Sequence, residues 1–204
     1  MAQRLKEEVR ERIAGAALEA FARHGYAAAS VAGIAAAAGV STGNVYRYYR
    51  NKEALFRAAL PPGTAERLRE LLRRRVAALA GVEDYRTLPA EAAYHAISRE
   101  SLAFAIENRL RVVILLGRAG GTPYERFADE VVAELTELAF AHFSTLRPGL
   151  TLTPATRFDL DQIYRNFIRT LVRILERFDD PADIEQAVER FSRYHRAGLA
   201  HFFD

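Results

Sequence analysis

Between Gly39 and Phe56 the chain reads GVSTGNVYRYYRNKEALF. Within it Thr42, Asn44, Tyr46, Arg47, Tyr48 and Lys52 gather hydroxyl, amide, guanidinium and ammonium groups around the small residue Gly43. The chemistry on offer is recognition, not bond breaking. Asparagine and arginine hydrogen-bond base edges or phosphates, tyrosine and lysine reach phosphate oxygens, and small residues let a backbone come close to a polymer. The segment is too polar for a core and too regular in its apolar spacing for a loose loop.

Other reactive side chains are scattered. The histidines His24, His95, His142, His195 and His201 invite a metal reading, but no Glu-x-x-His pair or dense ligand cluster accompanies them. They are read as structural or interface residues, with no metal and no cofactor expected. No Gly-x-Ser-x-Gly elbow or phosphate-binding loop is present, so the chain is not read as an enzyme.

Charge agrees with a polyanion as partner. Residues 1–60 hold nine Lys/Arg and five Asp/Glu, a net of +4, out of +3 for all 204 residues, which leaves −1 for the remainder. No apolar stretch is long enough to span a bilayer, the N-terminus has no signal-peptide core, and there are no cysteines. A cytoplasmic location without membrane attachment is the expectation.

The elements that must hold the polar strip are helices, because apolar residues recur every three or four positions and no period-2 strand stands out. Residues 5–24 carry Leu5, Val9, Ile13, Ala16, Ala17, Ala20 and Phe21 on one face and stop at His24-Gly25. Ser30, Ser41 and Asn51 are suited to cap three further short helices. Ala35 allows two helices to approach, Gly39 supplies a turn residue tolerant of positive φ, and Ile34, Ala38, Val40 and Val45 fill the wedge between them. With Val45 inward, Thr42, Gly43, Asn44, Arg47 and Tyr48 face outward. Tyr49 is assigned to the core and Arg50 to solvent. Lys52, in the first turn of the next helix, is placed to hold a phosphate.

The run His24-Gly25-Tyr26, Ser30-Val31, Ile34-Ala35, Ala38-Gly39-Val40-Ser41, Gly43, Val45-Tyr46, Tyr48-Tyr49 and Asn51 to Phe56 resembles the DNA-binding head of the tetracycline-repressor (TetR) family. The resemblance implies an all-α homodimeric transcriptional regulator with a ligand-responsive C-terminal domain. It also implies DNA contacts at the positions of Ser30, Thr42, Gly43, Tyr46, Tyr48 and Lys52, to which the outward-facing set adds Asn44 and Arg47. Thr42 departs from the usual larger or basic residue, and Pro61-Pro62-Gly63 interrupts a helix that many relatives continue.

That Pro-Pro-Gly stretch marks a domain boundary: residues 1–60 as the helix-turn-helix head, 61–204 as the ligand-binding and dimerisation domain. Helices are expected from Thr64 to about 80, over 89–107 and, short and buried, over 109–118. Thr122-Pro123, Thr153-Pro154 and Asp180-Pro181 each place a cap before proline, starting helices near 123–145, 154–178 and 181–202, with Glu125 closing a capping box on Thr122. The last two helices carry two apolar stripes, one including Tyr164, Ile168 and Val172, and a second copy of the chain is the economical cover for one of them.

A ligand cavity is expected between 89–107, 109–118, 123–145 and 154–178. Tyr94, Phe104, Phe127, Tyr164 and Phe167 would line it, and His95, Arg111, Asn166 or Arg169 would supply a polar anchor. The expected function is a repressor that binds a palindromic double-stranded operator as a homodimer and is released by a small-molecule effector. Rival readings are a helical ligand-binding or enzyme scaffold whose N-terminal region docks a protein, and a DNA-binding regulator without a ligand.

Overall fold

The structure is a computed structural model that describes residues 2–80, 82, 88–89, 91–146 and 153–202. All regular structure among them is helical. The helices are α1 Ala2–Ala28, α2 Val31–Ala37, α3 Thr42–Tyr48, α4 Lys52–Ala59, α5 Pro62–Ala77, α6 Ala93–Glu107 and α7 Arg109–Val113. A π-helical turn, Ile114–Arg118, precedes α8 Phe127–Leu146, α9 Pro154–Arg177 and α10 Pro181–Phe202. Two compact units result: Met1–Glu66 with Leu110–Arg126, and Arg67–Arg109 with Phe127–Asp204.

In the first unit, Ile13, Ala17 and Phe21 of α1 are fully buried, together with Leu55 and Phe56 of α4 and Ile34 of α2. Phe21, Tyr26 and Phe56 form a triangle of rings with centroids 5.2 to 5.7 Å apart. Such edge contacts add to the burial of three large side chains. The apolar stripe of α1 is not covered along its whole length: Leu5 is exposed, and burial is complete only from Ile13. Gly25, at φ 76°, bends the final turn of α1, where the sequence suggested a stop.

The segment 110–126 packs with this first unit, whereas a division at residue 60 places it in the body. Val112 to Leu116 are buried, and Arg111 Nε donates to the Ala59 carbonyl at 3.0 Å, satisfying the end of α4. The Thr122-Pro123 pair does not start α8. Thr122 Oγ1 accepts from the Tyr124 amide at 3.1 Å and donates to the Ala119 carbonyl at 2.6 Å, closing a turn. The Glu125 carboxylate accepts from Gly121 N, not Thr122 N, so the capping box is not formed and helix begins only at Phe127. By contrast Thr153 and Asp180 cap α9 and α10 through Thr156 N and Ala182 N, at 3.1 and 2.8 Å.

In the second unit α8 packs along α9, and α10 packs on α9 and α6. Val131, Val132, Leu135, Leu160, Leu175, Ile184 and Leu199 are buried among them. Arg69 and Arg73 of α5 pair with Glu130 and Glu134 of α8, both at 2.7 Å, and Arg74 pairs with Glu100 of α6 at 3.1 Å. These pairs are partly exposed, so they fix register more than they stabilise. Tyr164, Ile168 and Val172 are buried within the single chain, as are Phe167, Leu171 and Leu175. The second stripe of α9 therefore has its cover from α8 and α10, and needs no second copy for it.

Candidate nucleic-acid interface and ligand cavity

The polar strip is held by local bonds that the sequence dictates. Ser30 Oγ accepts from Gly33 N at 3.0 Å, starting α2. The chain then turns at Gly39, whose φ of 65° favours a residue without Cβ. Val40 N donates back to the Ala35 carbonyl at 3.0 Å across that turn. Ser41 Oγ accepts from Asn44 N at 3.2 Å and starts α3, while Asn51 Oδ1 accepts from Ala54 N at 2.8 Å and starts α4. Ala35, Ala38 and Val45 are buried in the wedge, and Val40 is half-buried. Two helices are thus set at a fixed corner by the turn and the buried wedge.

On α3 the structure exposes Thr42, Gly43, Tyr46 and Arg47 and leaves Asn44 and Tyr48 half-buried. Tyr46 is 51% exposed, unusual for so large a ring. Among the described residues the side chains of Thr42, Asn44, Tyr46, Arg47 and Tyr48 make no hydrogen bond or ion pair with the rest of the chain. Five polar side chains brought together on one short helix, all with their hydrogen-bonding capacity unused, suit a partner that supplies donors and acceptors of its own. Tyr49 points the other way: it is buried, and its hydroxyl donates to the Arg10 carbonyl at 3.2 Å.

Lys52 is placed differently from these five. Its Nζ lies 4.6 Å from the centre of the Tyr26 ring and donates to the Ala27 carbonyl at 3.2 Å. Partial burial lowers its pKa. An ammonium has three donors, so two remain for a phosphate, and the ring and carbonyl hold the charge in place beforehand. Ser30, exposed in the same unit, spends an acceptor on the α2 cap but keeps a hydroxyl proton to donate.

Residues 13–59, which hold this corner and most of its bonding, match the family model for bacterial regulatory proteins of the tetR family. The head is a TetR-family domain. It is the helix-turn-helix, DNA-binding part of transcription regulators. Solved structures similar to the whole chain include NalD, the secondary repressor of the MexAB-OprM multidrug efflux pump in Pseudomonas aeruginosa. It shares 24% identity over 92% of this chain and 95% of that one, at a TM-score of 0.42. A TetR-family transcriptional regulator from Streptomyces coelicolor shares 22% identity over 97% and 88%, at 0.36. The fatty acid degradation regulator FadR from Bacillus halodurans shares 18% over 93% and 97%, at 0.40. No curated protein matches the sequence.

The second unit contains a cavity of about 590 Å³ walled by α5, α6, α9 and α10. Of the sequence-predicted residues, Tyr94, His95 and Phe167 line it, and Tyr164 joins Tyr94 and Phe167 around an adjoining hollow of about 30 Å³. Phe104, Arg111, Phe127, Asn166 and Arg169 line neither space. Arg111 belongs to the first unit, Phe127 is buried under the Arg69 guanidinium, and Asn166 and Arg169 are exposed. The expected walls differ because α5 and α10, not the 109–118 segment and α8, flank the large cavity.

The polar centre of this cavity was not foreseen. Arg75 donates to the Tyr94 hydroxyl and to Ser192 Oγ, both at 2.9 Å, and Arg196 donates to the same tyrosine oxygen at 3.2 Å. Burial pushes the Tyr94 pKa up, but Arg75 and Arg196 outweigh it and the net shift is downward. His195, with Phe167 at 4.7 Å and Tyr164 at 5.6 Å between ring centres, has its pKa lowered to about 3, first by burial and then by the same two arginines. It is neutral at physiological pH. A faint signal existed for Arg75, which follows Leu71 by four positions and Leu72 by three and so shares their helix face.

Proposed function

We propose that the chain is a homodimeric, cytoplasmic repressor that binds a palindromic operator and leaves it when a small molecule occupies the cavity of the second unit. The observation that carries the reading is the uncommitted polar face of α3, presented at a rigid helix-turn-helix corner. The N-terminal end of such a helix enters the major groove, and two heads related by a twofold axis meet half-sites about one helical turn apart. Asn44 and Arg47 would read base edges; Ser30, Thr42, Tyr46, Tyr48 and Lys52 would hold phosphates, with Gly43 allowing close approach. Ligand binding would favour a conformer whose head spacing no longer fits the operator.

The test is selection of DNA fragments from the source genome with the purified full chain, followed by titration of the best fragment at several salt concentrations. Affinity should fall steeply with salt. Lys52→Ala should weaken every sequence alike and reduce the salt slope by about one, whereas Asn44→Ala should change which fragments are preferred. Retention of no fragment above random DNA overturns the reading, and two substitutions without effect overturn the contact assignment.

A further inference from the structure

Several arginines of the second unit, Arg99, Arg169 and Arg193 among them, are exposed and pair with no carboxylate among the described residues. Arg67, Arg69, Arg73, Arg74, Arg109, Arg157 and Arg165 each pair with a carboxylate. Arg75 and Arg196 pair with none among the described residues, although Arg75 follows directly on two that do. Both guanidiniums are half-buried at the cavity wall and donate to one oxygen, that of Tyr94. Stacking holds them there: Arg75 lies 4.9 Å from the Phe167 ring centre and Arg196 lies 5.1 Å from that of Tyr94. Aromatic faces position a cation but leave its charge unneutralised.

One further group awaits a partner. Arg196 Nε, on a cavity-lining residue, is buried without any hydrogen bond. Buried polar atoms are ordinarily satisfied, so an orphan donor beside a roomy space marks where a bound molecule belongs. The remaining charges on the lining, Arg99, Arg193, Glu185 and Glu189, are exposed at the rim and cancel in sum. His195 is neutral, so the inner positive charge is that of Arg75 and Arg196 alone. The depressed Tyr94 pKa reports the same field. Around this centre the walls are apolar, with Leu68, Leu71, Leu72, Leu102 and Ile106 among them.

Resting on the ligand-cavity reading above, we infer that the effector is an organic carboxylate with an apolar body, its acid group seated between Arg75 and Arg196 and its body along the leucines of α5 and α6. A carboxylate supplies the acceptors that Arg196 Nε and the two guanidiniums lack, and planar guanidinium groups suit its geometry. A neutral molecule would fill the apolar part and leave both cations uncompensated.

The full-length protein is titrated by calorimetry at neutral pH with two matched pairs, decanoate against decan-1-ol and 2-naphthoate against 2-naphthol. At least one acid should bind saturably and at least about tenfold more tightly than its alcohol, the scale of a desolvated charge-assisted pair. Arg75→Gln and Arg196→Gln should each remove most of that preference. Alcohols binding as tightly as acids would overturn the anionic class while the cavity reading stands. No saturable binding by any of the four compounds would overturn both. The comparison of acid with alcohol needs no substitution, so it decides the matter even where a variant fails to fold.

Discussion

Single residues in this molecule are tuned by what surrounds them, and Lys52 and His195 show two opposite uses of an aromatic neighbour. Tyr26 offers its face to Lys52, which keeps its charge and two free donors. Tyr164 and Phe167 enclose His195 and, with Arg75 and Arg196 near, deny it a charge. The second case has a consequence for stability. The folded pKa of His195 is about 3 and the unfolded one 6.5, so on acidification the unfolded chain takes up the proton first. Stability from this group is complete above pH 6.5 and is lost as pH falls from 6.5 toward 3. Between pH 7 and pH 5 the linkage amounts to at most about 2 kcal/mol. Urea midpoints should fall over that range, and His195→Phe, which keeps an aromatic ring in the same cage, should flatten the fall. Equal pH profiles for the two proteins, or a proton NMR titration of His195 centred near 6.5, would refute the assignment.

At the scale of elements, α3 stands on a serine and a glycine. It has seven residues, too few to be stable alone, so its order depends on its cap and on Val45 in the wedge. Ser41→Ala should cost about 1 kcal/mol in chemical denaturation. Because α3 begins at the proposed DNA surface, operator affinity should drop further than for Thr153→Ala, which removes the equivalent cap of α9. Equal affinity losses would separate the surface from α3. These caps were legible in the sequence because each bond closes within three residues, as at Ser30, Ser41, Asn51 and Thr153. Thr122 carried the same signature and failed, since its hydroxyl turned back to the Ala119 carbonyl and the chain closed a turn instead. The cavity centre was illegible for the opposite reason. Arg75 meets Ser192 across 117 positions, and a basic residue in the run Arg73-Arg74-Arg75 gives no local sign of which guanidinium turns inward.

For the whole molecule, the proposed homodimer needs an exposed surface at which a second copy can pack. The stripe of Tyr164, Ile168 and Val172 is covered inside one chain, so it is not the surface that a second copy would use. What α9 and α10 leave uncovered is Phe158, 62% exposed, and Tyr194, 70% exposed, with Phe191 half-buried and stacked on Tyr194 at 6.1 Å between ring centres. Exposed aromatics of this size on long amphipathic helices are the anchors that a helical interface employs. If the proposed homodimer forms through α9 and α10, sedimentation equilibrium at micromolar concentration should give twice the chain mass, and Tyr194→Arg should shift the balance toward monomer. Operator affinity of Tyr194→Arg should then fall and become concentration-dependent, because one head alone loses the gain in effective concentration that its linked twin provides. The head of that variant is untouched, so its contact with a single half-site should persist at high protein concentration. A wild-type chain that stays at monomer mass, or a variant with undiminished self-association, would move the interface away from these two helices.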